Sequence, residues 1–305
     1  AQVVAIKMTL YRTEASSPVV TALLDAARAG KEVTVVVELR ARFDEATNID
    51  LATRLQEAGA NVVYGIVGYK AHAKMLLIVR REGRRLRRYV HLGTGNYHPR
   101  TARLYTDFGL LTSNEELCAD VAELFKQLTG LGRAGKMKHI WQSPFTLHKR
   151  VVAAIQNEAR HAREGRPARI IAKMNALLDP QVIDELYLAS QAGVRIDLIV
   201  RSVCALRPGI EGLSDGIRVR SVVGRFLEHT RVFFFLNDGH EDVYLASADW
   251  MGRNFFRRIE LCFPVLDPAL KRRVIREGLQ PYLDDNVQAW QMDAEGVYTR
   301  AKPRR

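Results

Sequence analysis

The second half of this 305-residue chain repeats the order of strand-like and helix-like segments found in its first half. Each half has an apolar strand, then a helix that opens with proline and closes with glycine, then a second apolar strand. Residues 3–10, 18–30 and 33–38 fit this order in the first half, and residues 170–174, 180–193 and 194–200 fit it in the second. A duplicated order of this kind restricts the fold to two similar units in tandem.

Apolar strands separated by amphipathic helices predict α/β units, in which helices cover a mostly parallel, mixed sheet. A helix predicted over residues 115–128 closes the first unit, and one over 268–282 closes the second. Glycines at 130, 132 and 135 mark the boundary between them. We therefore expect two domains, residues 1–135 and 136–305. A further helix over 144–163 precedes the first strand of the second unit only, so we expect residues to be missing upstream of Ala1.

Two histidines occupy equivalent places in the repeat. His72 is followed two residues later by Lys74, and His229 by Arg231. If residues 68–79 and 228–235 are strands, each histidine lies on the same face as its cation. One such pair is more often a solvent-facing strand end, but two in equivalent positions favour a site. Were both to face one cleft, one imidazole could attack phosphorus while the other handles a proton at the leaving oxygen.

The charge of the chain favours a polyanionic partner. Lys and Arg number 46 against 34 Asp and Glu, a net charge of +12. Nucleic acid, anionic lipid, nucleotide and polyphosphate all fit this excess, as does a basic surface with no specific role. The three cysteines are far apart, which argues against structural zinc and favours a reduced, cytosolic setting. The sequence has no phosphate-binding loop and no protein-kinase motif set.

The paired histidine segments, with Gly95 and Asn96 downstream of the first, resemble the phospholipase D superfamily. Three departures are informative. Residues 76–79 are apolar where that superfamily has an aspartate, Arg231 replaces the second lysine, and Asp249 replaces the second asparagine. The resemblance implies two phospholipase-D-like domains. They keep the core of the active site but lack the residues just named that the diesterases have.

Longer segments resemble the histidine-phosphorylated polyphosphate kinase family across essentially the whole chain. They are residues 7–12, 38–45, 91–97, 101–107 and 244–251. Members of this family carry two further N-terminal domains, which are absent from this chain, before a pair of phospholipase-D-like catalytic domains.

The resemblance implies a role for eight residues. His72 would be the phosphohistidine nucleophile, and His229 a general acid/base that also contacts ATP. Lys74 and Arg231 would stabilise the transferring phosphate. Tyr105 and Arg201 match ATP contacts. Arg12 and Arg42 match a Mg²⁺–phosphate site, where they would clamp phosphate, since arginine has no lone pair for a metal.

The expected function is reversible, Mg²⁺-dependent transfer of the ATP γ-phosphate to inorganic polyphosphate through phospho-His72. ATP, ADP and polyphosphate would be the partners, with no obligatory nucleic acid. We expect a homo-oligomer in the full-length protein, a cytoplasmic location with peripheral membrane contact left open, and a disordered basic tail over 300–305. A phospholipase-D-type phosphodiesterase or nuclease, and an inactive polyanion-binding fragment, are the alternatives.

Overall fold

The computed structural model describes residues 2–11, 13–14, 17–38, 45–66, 68–130 and 135–303. The chain divides into two compact units. The first contains Ala1–Trp141 and Arg257–Leu261, and the second contains Gln142–Phe256 and Cys262–Arg305. Among the described residues, no helix is both long enough and apolar enough to cross a membrane.

The first unit is a six-stranded mixed sheet with helices. Its elements are β1 (Val3–Leu10), α1 (Pro18–Arg28), β2 (Glu32–Val37), α2 (Glu45–Glu57), β3 (Asn61–Val63), β4 (Lys70–Ala71), β5 (Lys74–Glu82), β6 (Arg85–Gly93), α3 (Pro99–Leu104), β7 (Gly109–Thr112) and α4 (Glu115–Leu128). The strand order is β3-β2-β1-β5-β6-β7. Strands β1 to β3 are parallel, and β5 to β7 are antiparallel to their neighbours.

Helix spacing explains how this unit builds its core. In α1, Val20, Leu23 and Leu24 are buried, the spacing that places side chains on one face of a helix. They join Met8 of β1 and Val35 of β2 in one apolar cluster. The central strands are thereby fixed, and with them the strand that follows His72.

The elements from Trp141 onward belong mainly to the second unit. The start of one strand among them belongs to the first unit. These elements are β8 (Trp141–Ser143), α5 (Leu147–Arg163), β9 (Arg169–Met174), α6 (Pro180–Gln191), β10 (Arg195–Val200), β11 (Ile217–Val222), β12 (Arg231–Phe235), a 3₁₀ helix (Asn237–Gly239), β13 (Asp242–Ala246), α7 (Gly252–Phe256), β14 (Arg258–Pro264), α8 (Pro268–Gly278), α9 (Gln280–Asp284), β15 (Ala289–Met292) and β16 (Tyr298–Arg300).

The sheet of the second unit repeats the order of the first. Its strands run β16-β15-β11-β10-β9-β12-β13-β14, so β11-β10-β9-β12-β13-β14 corresponds to β3-β2-β1-β5-β6-β7. Strands β9 to β11 are again parallel, and β12 to β14 antiparallel. The predicted duplication and the α/β class are confirmed. The first residues of β14 belong to the first unit, where Arg258 and Ile259 pair with β4.

Three predictions about elements are wrong. His72 lies in the break between β4 and β5, and His229 precedes β12, so neither histidine is within a strand. The helix predicted over 268–282 is two helices, because Pro281 in the first turn of α9 lacks the N–H that would continue α8. Arg300 ends β16, so the tail is not disordered from that residue onward.

Candidate active site

A threonine hydroxyl fixes the backbone beside His72. The Thr9 hydroxyl in β1 donates a hydrogen bond to the carbonyl oxygen of Ala73 (2.7 Å) and accepts one from the N–H of Met75 (3.1 Å). Thr9 is buried, so neither bond competes with water. The side chain takes the place of sheet hydrogen bonds where the strand is interrupted, which explains how a short loop that contains His72 can lie between β4 and β5.

Two further hydrogen bonds hold the chain at and before His72. The N–H of Ala71 donates to the Glu38 Oε2 atom at the end of β2 (2.7 Å). The N–H of His72 donates to the carbonyl oxygen of Ile259 (3.0 Å). The histidine is thus held from three elements of the first unit.

The His72 ring contacts a buried carboxylate. Its Nδ1 atom lies 2.8 Å from the Oε2 atom of Glu260, whose side chain has no exposed surface. The Nζ atom of Lys74 lies 3.0 Å from both ring nitrogens, so His72 and Lys74 share a side, as predicted. The ring of Tyr11 packs edge-on against the imidazole, with 4.8 Å between centroids.

The charge states follow from this burial. Burial, with the charges of Lys74 and Arg258, lowers the pKa of His72 to about 3, against the opposing pull of Glu260. Burial alone would raise the pKa of Glu260, but His72, Lys74 and Arg258 outweigh it and lower that pKa to about 2. A neutral imidazole therefore lies beside an ionised carboxylate at neutral pH. Because a carboxylate only accepts, Nδ1 carries the proton and Nε2 keeps its lone pair.

Sequence reasoning missed Glu260. The only signal was the repeat, which places residues 258–261 where residues 106–108 stand in the first half. An acidic residue occurs at both places, Asp107 and Glu260. The pattern gave no indication that Glu260 would lie in the unit of His72 rather than in its own half of the chain.

Arg231 and His229 are also in contact. The Arg231 Nη1 atom donates to the His229 Nε2 atom (2.9 Å) and to the carbonyl oxygen of the same residue (2.8 Å). The Nε and Nη2 atoms of Arg231 donate to the two carboxylate oxygens of Asp249 (3.2 and 3.3 Å). Arg231 and Asp249 are both buried. The departure from lysine and asparagine in this half is therefore a matched pair, in which the carboxylate orients the guanidinium toward the histidine.

Asp249 extends this network toward Arg201. Its Oδ1 atom accepts a hydrogen bond from the N–H of Asn175 (2.8 Å), just after β9. The carbonyl oxygen of Asn175 accepts one from the N–H of Ser202 (2.8 Å), next to Arg201. Arg201 thus lies at the carboxyl ends of the parallel strands, the edge at which open α/β sheets bind ligands.

A buried ion pair anchors the residues before His229. The Lys173 Nζ atom in β9 lies 3.0 Å from the Oε2 atom of Glu228, and their side chains are 2% and 12% exposed. The same ammonium group lies 4.3 Å from the centre of the Tyr282 ring. Because Glu228 adjoins His229, this pair restrains the position of the histidine.

The turn after β6 requires glycine at one position. The Thr94 hydroxyl donates to the Asp107 Oδ1 atom (2.6 Å), and a Cβ atom on Gly95 would lie 2.1 Å from Asp107 Oδ2. Tyr105, a predicted ATP contact, follows α3 and is half-buried. Arg12 and Arg42 lie outside the described residues.

The described residues contain no group of three or more His, Cys, Asp or Glu side chains that could hold a metal ion. Within this described part of the chain, protein side chains alone therefore do not form a Mg²⁺ cage.

Comparisons with known proteins cover the whole chain. Residues 1–134 match the family model for polyphosphate kinase C-terminal domain 1, and residues 140–305 match that for domain 2. The chain is 63% identical over 305 residues to a polyphosphate kinase of Paraburkholderia phytofirmans, and 61% identical over 301 residues to one of Neisseria meningitidis serogroup B. In both cases the alignment covers 99% of this chain and 44% of the relative, so the chain spans less than half of their length.

Solved structures agree in fold. The polyphosphate kinase of Porphyromonas gingivalis aligns with a TM-score of 0.91 at 39% identity, covering 99% of this chain and 46% of that one. Phosphatidylserine synthase of Haemophilus influenzae aligns with a TM-score of 0.59 at 11% identity, covering 90% and 82%. The second likeness concerns the fold alone.

Proposed function

Because the chain belongs to the polyphosphate kinase family, we propose that it transfers the γ-phosphate of ATP reversibly to inorganic polyphosphate through a phosphohistidine at His72. The two C-terminal family domains account for the whole chain. The proposal is that this catalytic pair carries the phosphoryl-transfer chemistry of its longer relatives.

The observation that carries the proposal is the contact of His72 with Glu260. With Nδ1 donating to Glu260, the lone pair on Nε2 attacks the γ-phosphorus. The bond from the γ-phosphorus to the bridging oxygen breaks, and ADP leaves with the electron pair. The imidazole gains positive charge as the P–N bond forms, and the buried carboxylate stabilises that charge.

The second half of the reaction returns His72 to its starting state. A terminal oxygen of polyphosphate attacks the same phosphorus, the P–N bond breaks, and its electron pair returns to Nε2. The polyphosphate chain grows by one phosphate, and the reverse sequence makes ATP from ADP. Lys74 lies beside Nε2 and stabilises negative charge on the phosphoryl group in both directions.

The other predicted site residues act on the nucleotide in this proposal. His229 serves as general acid/base and contacts the phosphates, and Arg231 orients it. Tyr105 and Arg201 contact ATP, and Arg12 and Arg42 clamp phosphate. Since Mg²⁺ is usually bound through one or two carboxylates plus substrate phosphates, we propose that it enters with ATP and neutralises phosphate charge. The homo-oligomer of the full-length protein and the cytoplasmic location stay predictions.

The experiment that tests this function compares the chain with a His72→Ala variant. With ATP, Mg²⁺ and a polyphosphate primer, the wild type is expected to release ADP and lengthen the primer. The variant should do neither, while a His240→Ala control on an exposed residue should match the wild type. Activity retained by His72→Ala would contradict the proposal. Hydrolysis of a phosphodiester without nucleotide would favour the phosphodiesterase alternative, and polyphosphate binding without turnover the inactive fragment.

A further inference from the structure

The hairpin formed by β5 and β6 carries a dense positive charge at its tip. We call residues 80–88 the arginine hairpin, and its six arginines are Arg80, Arg81, Arg84, Arg85, Arg87 and Arg88. Its single acidic residue is Glu82, so the nine residues have a net charge of six minus one, +5. All of these arginines except Arg80 are exposed, and Arg80 is partly so.

The strand register places two arginines, Arg80 and Arg87, directly opposite one another. Arg80 is paired with Arg87, and Glu82 with Arg85, so all four lie on one face. Like charges directly across a sheet are destabilising. Glu82 lies 3.6 Å from Arg80 and 3.7 Å from Arg87, and both guanidinium groups lie over the ring of Tyr89. One acid and one aromatic ring thus hold two arginines side by side.

Two arginines at the tip of the hairpin are not held in this way. Arg84 lies in the turn and Arg85 opens β6. Within the described part of the chain, neither has an ion-pair partner. A rigid strand pair with arginines fixed on one face and free ones at its tip is suited to a linear polyanion.

The environment of Tyr89 distinguishes between linear polyanions. Proteins that bind single-stranded nucleic acid stack bases on exposed aromatic rings. Here Arg80 and Arg87 lie 5.7 and 5.4 Å from the ring centre, and the Tyr89 hydroxyl donates to Glu82 (2.6 Å). The ring is already occupied in organising the arginines. This face therefore favours a polyanion that has no bases.

We propose that the arginine hairpin is a docking surface for inorganic polyphosphate, separate from the residues that transfer phosphate. The choice of polyphosphate rests on the proposed function. Arg80 is six residues along β5 from Lys74, a distance of about 20 Å at the rise of an extended strand. Only a long chain can reach both places at once, so the hairpin would retain long chains between phosphoryl transfers more strongly than short ones.

The test measures binding of long-chain polyphosphate and of tripolyphosphate, without ATP, as a function of salt. The variant is Arg84→Gln/Arg85→Gln/Arg87→Gln. The matched control is Arg272→Gln/Arg273→Gln/Arg276→Gln, which removes three exposed arginines from α8. Because each lost contact with a single-stranded polyanion lowers the slope of log K against log salt by about 0.7, the hairpin variant should lose about 2 from that slope and at least about tenfold in affinity.

The proposal is supported if the hairpin variant loses long-chain binding, loses less of its tripolyphosphate binding than of its long-chain binding, and the α8 control binds both nearly as the wild type does. Equal losses in the two variants, or none in the hairpin variant, would overturn it. The proposal would also be overturned if an oligonucleotide of equal charge, or phosphatidylglycerol vesicles, bound more tightly than long-chain polyphosphate and the hairpin variant abolished that binding. Arg84→Glu in the exposed turn repeats the test with a single change. Labelling of His72 by ATP is measured separately. If labelling occurs but the hairpin does not bind polyphosphate, the docking proposal fails, whereas absence of labelling means that the proposed function fails.

Discussion

The Nδ1 atom of His72 lies 2.8 Å from the Oε2 atom of Glu260, although the two residues are 188 positions apart in the chain. Both side chains are buried. This hydrogen bond fixes the imidazole tautomer and leaves the lone pair on Nε2, the nucleophile of the proposed mechanism. It also places a negative charge beside the ring, which would become positive if that mechanism phosphorylates it.

Replacing Glu260 with glutamine should slow phosphorylation of His72 without weakening ATP binding. The amide cannot stabilise the positive ring and does not enforce the tautomer, and the same change in a Ser-His-Asp triad costs about 10⁴ in kcat. Single-turnover labelling with ATP measures the rate, and its dependence on ATP concentration gives the apparent affinity. Glu123→Gln, at a partly exposed position of α4 in the same unit, is the control. A change in affinity alone would contradict the assigned role.

Phosphorylation of His72 should not depend on the usual histidine titration. Burial lowers the pKa of His72 to about 3, so the neutral, nucleophilic ring persists well below its ordinary value of 6.5. The initial labelling rate should therefore show no inflection near pH 6.5 that arises from His72. ¹⁵N chemical shifts of the His72 ring report its protonation directly. A ring that titrates near 6.5 would refute this account.

The same shift predicts how stability depends on pH. Because the folded pKa lies below the unfolded one, the unfolded state binds more protons as pH falls from 6.5 toward 3. This contribution to stability is complete above pH 6.5 and is lost progressively below it. The free energy of unfolding should thus fall more steeply over this window in the wild type than in His72→Gln. Parallel curves for the two proteins would show that His72 is not the group responsible.

Thr9→Val should destabilise the first unit and displace His72. The valine has nearly the same shape but leaves the carbonyl of Ala73 and the N–H of Met75 without their hydroxyl partner. Leaving buried polar groups unsatisfied costs about 1–3 kcal/mol, whereas the exposed control Thr53→Val should stay within about 0.5 kcal/mol. Denaturant unfolding measures both. Equal effects in the two variants would mean that the Thr9 bonds carry no special weight.

Lys173→Met tests the anchor before His229. Removing one partner of a buried ion pair typically costs about 3–5 kcal/mol, because the other charge stays buried and unpaired. Adding Glu228→Gln should recover part of that loss. Lys7 occupies the equivalent place in the first repeat, but its partner Glu32 is 67% exposed, so Lys7→Met should cost less than about 1 kcal/mol. The free energies of unfolding of the wild type and of the two single variants and the double variant test this prediction. A double variant that recovers no stability relative to Lys173→Met would contradict the pairing.

Sequence patterns predicted the local structure of this chain well. Helix α4 spans Glu115–Leu128, as its amphipathic spacing predicts, and Asp179 caps α6 by accepting the N–H of Val182. Local rules succeed here because capping and apolar spacing act within a few residues. Ser17 shows their limit: it takes the N-cap position of α1, but its hydroxyl makes no capping hydrogen bond.

The candidate site was only half predictable. The repeat identified His72, His229 and their cations, because each pair is close in sequence. Glu260 was missed, because its contact with His72 depends on the start of β14 belonging to the first unit, which no local pattern encodes. Two of the eight predicted site residues, Arg12 and Arg42, lie outside the described residues, and the roles of all eight stay predictions. The same holds for the boundary near residue 135.

The most direct test is to identify which nitrogen of His72 carries the phosphate. Wild-type protein labelled with ATP should give an acid-labile adduct, and ³¹P NMR of the intact protein should assign it to Nε2, since Nδ1 donates to Glu260. His72→Ala should carry no label, and Glu260→Gln should label slowly. Phosphate on Nδ1, or equal labelling of His72→Ala, would contradict the account.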